Sequence, residues 1–171
     1  MNKLVTAALA LGVVMCFNLF SKSQTTLKVG SKAPEFALKN ECNQTVKLAD
    51  LPGKIALVFF PKAHTLSFGC KKEMCNIRND FADLKDYGIT TYGLSYDSPQ
   101  NLKKFIENNN LPFSLLHATD SVLQAYGVKG WFGMAKRYTF LIENGIIVKI
   151  ITNVDAGNHA QQIIDGFKKT A

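Results

Sequence analysis

Cys70 and Cys75 are the residues of this chain best suited to do chemistry. They lie in the stretch "PKAHTLSFGCKKEMC", residues 61–75, five positions apart in a basic, mixed run. Apolar residues recur at Met74, Ile77, Phe81 and Leu84, which is one face of a helix, with Gly88 as its stop. Cys70 therefore falls at or near the first turn of that helix. Free N–H groups and partial positive charge at a helix start favour a thiolate, and the thiolate is the reactive form of cysteine. Lys71, Lys72 and Arg137 could add positive potential. The bland alternative is a small buried core residue, a common fate of free cysteine.

The spacing narrows the chemistry. Across an unbroken helix, five residues put the two Cα atoms roughly 9 Å apart, on faces about 140° different. A disulfide needs Cα atoms within about 7 Å. The pair is thus no static staple, and a bond between them would require the first turns to unwind. Zinc fits less well, because no second ligand pair accompanies the cysteines. A thioredoxin-like redox site would carry C-x-x-C, and this gap is longer.

The elements that must position these residues can be read from local patterns. "IALVFF", residues 55–60, is a buried strand covered on both faces, ending just before the cysteine segment. "ITTYGLS", residues 89–95, is the next strand. Ser98-Pro99 opens a helix through Asn108. A short strand spans Ser114 to Leu116, and Asp120 caps a short helix through Tyr126 that stops at Gly127. In "RYTFLIENGIIVKIIT", residues 137–152, two strands flank the hairpin dipeptide Asn144-Gly145. A last helix runs from about Asn158 to Lys169, and a front hairpin pairs 35–38 with 45–48, with Cys42 at its tip. Strands alternating with helices, then a hairpin, predict an α/β fold: a central mixed sheet flanked by helices, with an N-terminal β-hairpin. The first long helix starts at the carboxyl end of the first buried strand, where such folds place their chemistry.

The rest of the 171-residue chain bounds the function. The net charge of +7 comes from lysines standing singly or in pairs, with no basic block interleaved with aromatics, so nucleic acid is not expected as a partner. Residues 1–23 differ in character from the rest of the chain: Met-Asn-Lys, then a charge-free run from Leu4 to Phe20, then polar residues. This reads as an export signal, cleaved before Gln24, or as an uncleaved membrane anchor. Either way, residues 24–171 form one domain outside the cytosol, touching the membrane only through that segment if it is retained. Cys16 stands directly after Met15, which argues against a lipoprotein signal. Removal of the leader leaves Cys42, Cys70 and Cys75, an odd number that suits a redox pair better than a structural disulfide framework.

Four segments in order, "VGSKAPEF" (29–36), "GKIALVFFPKA" (53–63), "GCKKEMC" (69–75) and "RYTFLIENG" (137–145), make residues 28–168 resemble a peroxiredoxin of the AhpC/TSA superfamily. The branch it is most similar to is PrxQ, or bacterioferritin comigratory protein, the atypical two-cysteine type. The resemblance implies a thioredoxin-like fold and a thiol-dependent peroxidase acting on hydrogen peroxide and organic hydroperoxides, as a monomer. It implies a thioredoxin or similar dithiol as reductant and no metal or organic cofactor. It makes Cys70 the peroxidatic cysteine and Cys75 the resolving one. Pro61 matches the proline that shields the site, Arg137 the arginine that contacts thiolate and peroxide, and Glu73 a motif glutamate that pairs with that arginine.

One departure concerns the active-site hydroxyl. The family threonine stands four residues after the proline and three before the cysteine. Here Thr65 keeps the first spacing and Ser67 the second, because two residues are inserted. The intact Pro-x-x-x-Thr favours Thr65. Among the remaining residues, His64 reads as a solvated loop residue, Trp131 and Phe132 as an apolar loop ahead of Arg137, and Cys42 as an exposed bystander. His117 and His159 have no evident partners. Two rival functions are weaker: a thiol–disulfide oxidoreductase of thioredoxin fold, which would need C-x-x-C and a cis-proline where "GMAKRYTF" offers arginine, and a binding domain with a degraded site.

Overall fold

The computed structural model describes residues 25–63 and 68–169. The leader reading, residues 1–23, lies outside them, as do His64, Thr65 and Ser67.

The central sheet has five strands: β3 (Lys54–Phe59), β4 (Ile89–Ser95), β5 (Leu115–His117), β6 (Tyr138–Glu143) and β7 (Ile146–Ile151), in the order β5-β4-β3-β6-β7. β3 runs parallel to β4, and β4 to β5, while β6 and β7 join antiparallel. A separate hairpin of β1 (Ala37–Lys39) and β2 (Thr45–Lys47) precedes it. The mixed α/β sheet and the N-terminal hairpin expected from the element order are both present.

β3 carries the fold because its side chains are buried on both faces. Ala56, Val58 and, just past the strand, Phe60 point into one core, with Met74, Ile77, Leu102 and Ile163. Ile55, Leu57 and Phe59 point into the other, with Leu94, Leu123, Tyr126 and Phe140. The first core lies under α1 (Phe68–Asn79), α2 (Phe81–Asp86), α3 (Pro99–Asn109) and α5 (His159–Lys168); the second takes in α4 (Asp120–Ala125) and the N-terminal hairpin. This two-sided burial is why the strand reads as an uninterrupted apolar run.

Local signals account for several boundaries. The Ser98 side chain accepts a hydrogen bond from the Asn101 N–H at the start of α3, with Pro99 in the first turn. Asn144 and Gly145 take φ values of 50° and 80°, as a tight hairpin turn requires. Two expectations need correction. The helix predicted from Met74 to Leu84 is two helices broken at Asp80; Leu84 still reaches the same core, so the apolar spacing hid the break. Thr119, not Asp120, is the capping residue of α4, and Asp120 is its first helical residue.

Candidate active site

Cys70 lies in the first turn of α1, directly beyond the carboxyl end of β3. It is 2% exposed and, like Cys42 and Cys75, is not joined in a disulfide among the described residues. α1 is unbroken from Phe68 to Asn79, so Cys75 sits on a different face from Cys70, half-buried. Helical spacing puts Glu73, three residues on, on the same face as Cys70.

Arg137, the residue before β6, reaches both. Its Nη2–H donates to the Cys70 sulfur at 3.3 Å, and Nη1 pairs with Glu73 Oε2. One guanidinium thus stands over the sulfur while its other branch is fixed by a carboxylate that is 0% exposed. Gly69 lies against the same guanidinium. A Cβ at that position would stand 3.4 Å from Arg137 Nη2.

Behind this trio lies a chain of groups that inspection of the sequence missed. Glu73 Oε1 faces His159 Nδ1 at 3.0 Å, and His159 Nε2 faces Thr139 Oγ1 at 2.9 Å. Glu73, Thr139 and His159 are all fully buried. A carboxylate has no hydrogen to give, so a hydrogen between the two sits on His159 Nδ1, and in the neutral ring that tautomer leaves Nε2 to accept from the Thr139 hydroxyl. Burial keeps the ring neutral. Burial, and then the Arg137 charge, push the His159 pKa down to about 4, against a smaller opposite pull from Asp155. The charge on Glu73 is already matched by Arg137.

A second missed residue is Asp97, also buried. Its carboxylate accepts from the Ala63 N–H at 2.7 Å and from the Ser95 hydroxyl at 2.9 Å. It pins the segment Pro61–Ala63, which leaves β3 toward Cys70; Pro61 itself is half-buried. In the sequence, Asp97 looks like an ordinary turn residue before Ser98-Pro99. His117 gains a partner as well, with Nδ1 2.8 Å from the Asp97 carbonyl oxygen. Trp131 and Phe132 form an exposed pair, 77% and 91% exposed, and Phe132 adopts φ 53°. Cys42 is exposed, as expected. The structure thus brings together Cys70, Glu73 and Arg137, holds Cys75 on the same helix, and leaves Thr65 and Ser67 outside the described residues.

The AhpC/TSA family model matches residues 29–150. The chain belongs to the AhpC/TSA family. Within it the chain is 36% identical over 149 residues to a putative peroxiredoxin bcp of Haemophilus influenzae, covering 81% of this chain and 95% of that one. It is 34% identical over 155 residues to the peroxiredoxin Bcp of Escherichia coli K12, covering 85% and 98%. Among solved structures, a peroxidoxin BcpB of Mycobacterium tuberculosis superposes with a TM-score of 0.74 at 26% identity, covering 84% of this chain and 97% of that one. A PrxQ of Xylella fastidiosa gives a TM-score of 0.76 at 22% identity, covering 85% and 98%, and speaks for the fold. The chain is a peroxiredoxin of the Bcp/PrxQ branch: an oxidoreductase that reduces peroxide with a thiol, on a thioredoxin-like fold.

Proposed function

We propose that Cys70 is the peroxidatic thiolate, Cys75 resolves it, and an external dithiol such as thioredoxin recycles the enzyme. The observation that carries this reading is the Arg137 guanidinium 3.3 Å from the Cys70 sulfur, anchored on buried Glu73 at a helix start. In the first step an S–O bond forms as the peroxide O–O bond breaks. Thiolate and hydroperoxide give the Cys70 sulfenate and an alcohol, or water when the substrate is hydrogen peroxide. Negative charge develops on the departing oxygen, and fixed donors there lower the barrier. Arg137 is one such donor. A Thr65 or Ser67 hydroxyl is the second, with the Pro-x-x-x-Thr spacing in favour of Thr65.

In the second step the sulfenate takes a proton and condenses with the Cys75 thiol, releasing water and forming the disulfide. An external dithiol then exchanges with it, leaving two thiols here and a disulfide on the reductant. Both sulfurs ride on one helix of one chain, so a monomer suffices. Residues 1–23 serve as a cleaved export signal or an anchor, which puts residues 24–171 in an extracytoplasmic space. The charge-free run Leu4 to Phe20 supports this. N-terminal sequencing of the mature protein tests it.

Stopped-flow consumption of hydrogen peroxide by the reduced protein tests the peroxidatic role. The wild type reacts far faster than a free thiol, and Cys70→Ser abolishes the reaction. Peptide mapping after one equivalent of peroxide finds Cys70 joined to Cys75. A link from Cys70 to Cys42 instead, or over-oxidised Cys70 alone, refutes the resolving role.

A further inference from the structure

Glu73 lies between the two cysteines, inside the stretch of α1 that must unwind before the sulfurs can meet. Two contacts from the start of α5 hold that stretch. His159 takes Glu73 Oε1 through Nδ1 at 3.0 Å, and the next residue, Ala160, donates its backbone N–H to Asn76 Oδ1 at 2.9 Å. Residues 73 and 76 flank Cys75. His159 is itself fixed by Thr139 on β6, so this grip is anchored in the central sheet.

We propose that His159 is a positioning residue for the resolving step: by clamping Glu73 it sets how readily α1 opens to bring Cys75 to oxidised Cys70. The inference rests on the roles assigned above to Cys70 and Cys75. In the closed helix one Glu73 oxygen faces Arg137 and the other faces His159, with no solvent access. Unwinding must surrender these contacts and expose a buried carboxylate, and also break the Asn76 contact or strain it. The clamp favours the first step, because it keeps Glu73 and hence Arg137 in place over the sulfur. It opposes the second.

The consequence is a competition. While the helix stays closed, the Cys70 sulfenate faces a second peroxide, which would transfer one more oxygen, giving sulfinate and releasing an alcohol or water. Opening diverts the same sulfenate to the disulfide. The strength of the Glu73–His159 contact therefore sets the fraction of turnovers that end in over-oxidation.

The test uses the reduced full-length protein and hydrogen peroxide. Trp131, the only tryptophan in the chain, exposed and six residues before Arg137, gives the fluorescence signal, with quenched-flow mass spectrometry to assign each phase. His159→Leu removes both polar contacts. It is expected to speed disulfide formation on the order of tenfold, the factor that loss of one charge-assisted hydrogen bond carries. The peroxide concentration that over-oxidises half the protein rises in proportion, and the first phase slows, because Arg137 loses the fixed carboxylate that holds it over the sulfur. His159→Asn keeps an N–H donor at the Nδ1 position and restores the wild-type partition. Asn76→Ala, which loosens the second grip without touching the buried chain, also speeds the second phase and keeps the test open if His159→Leu does not fold. Val122→Ala, in the core on the other sheet face, is the control for general loosening. An unchanged or slower second phase in both His159→Leu and Asn76→Ala overturns the proposal, as does equal acceleration by Val122→Ala or failure of His159→Asn to rescue. A wild type that forms no Cys70–Cys75 disulfide refutes the assignment of the two cysteines first, and the clamp with it.

Discussion

Acidification should destabilise this protein through one residue, and the size of the effect can be worked out. His159 is fully buried between Glu73 and Thr139, with Arg137 and Asp155 the other charges acting on it. Its pKa falls from 6.5 to about 4 in the folded state. The folded pKa is the lower one, so the unfolded chain takes up a proton first as pH falls. The stabilisation is complete above the unfolded value, declines from about pH 6.5, and is fully lost below about pH 4. At pH 5 the unfolded imidazole is mostly protonated and the folded one mostly neutral, which costs about 2 kcal/mol relative to pH 8. The limit below pH 4 is about 3 kcal/mol. Either is a large share of a typical domain stability of about 5–15 kcal/mol. Urea unfolding of the reduced protein at pH 8, 6.5 and 5, compared with His159→Asn, isolates the term. Every other titrating group is shared by the two proteins and cancels in the difference. The wild type should lose about 2 kcal/mol more than the variant between pH 8 and pH 5. Parallel losses would refute the argument, because they would mean that His159 is protonated alike in both states.

Three further outcomes are expected from the geometry. Arg137→Met removes the donor at the Cys70 sulfur and should slow sulfenate formation about 10²–10³-fold by stopped-flow, the usual loss for one fixed donor at a developing charge. Asp97→Ala leaves the buried Ala63 N–H without its acceptor and should cost about 1–3 kcal/mol in urea unfolding, with slower peroxide reduction as the segment after β3 loosens. Gly93→Ala would drive a Cβ into Leu115 Cδ2 and to 3.2 Å from Phe60 Cε1, so these buried side chains must repack. A loss of about 1–3 kcal/mol in thermal or urea unfolding is expected, with the Cys70 reaction rate retained.

Local signals made most of the fold legible. The apolar run at Ile55 to Phe60 announced a doubly covered strand because its neighbours lie on both faces. Ser98-Pro99 and Asn144-Gly145 marked boundaries because their backbone and capping preferences act within a few residues. The cysteine pair was readable for the same reason, since its spacing on one helix is a local fact. The groups behind it were not. His159 meets Glu73 only because α5 packs across α1, and nothing next to His159 in the sequence hints at a carboxylate partner. Asp97 sits in a turn where aspartate is common for purely local reasons, so its long-range bond to Ala63 leaves no trace in the pattern. The break at Asp80 escaped notice because α2 keeps Leu84 on the core side, and apolar spacing records which face is buried rather than whether the backbone is continuous.

Lys71 and Lys72 stand exposed on α1, between the two sulfurs. Any bond joining those sulfurs must drag both ammonium groups with the unwinding backbone. Oxidation would then redraw the surface potential of this face by moving two charges as well as by discharging the Cys70 thiolate. An acidic reductant approaching it could read the enzyme's state from field and shape before any sulfur atom came within reach.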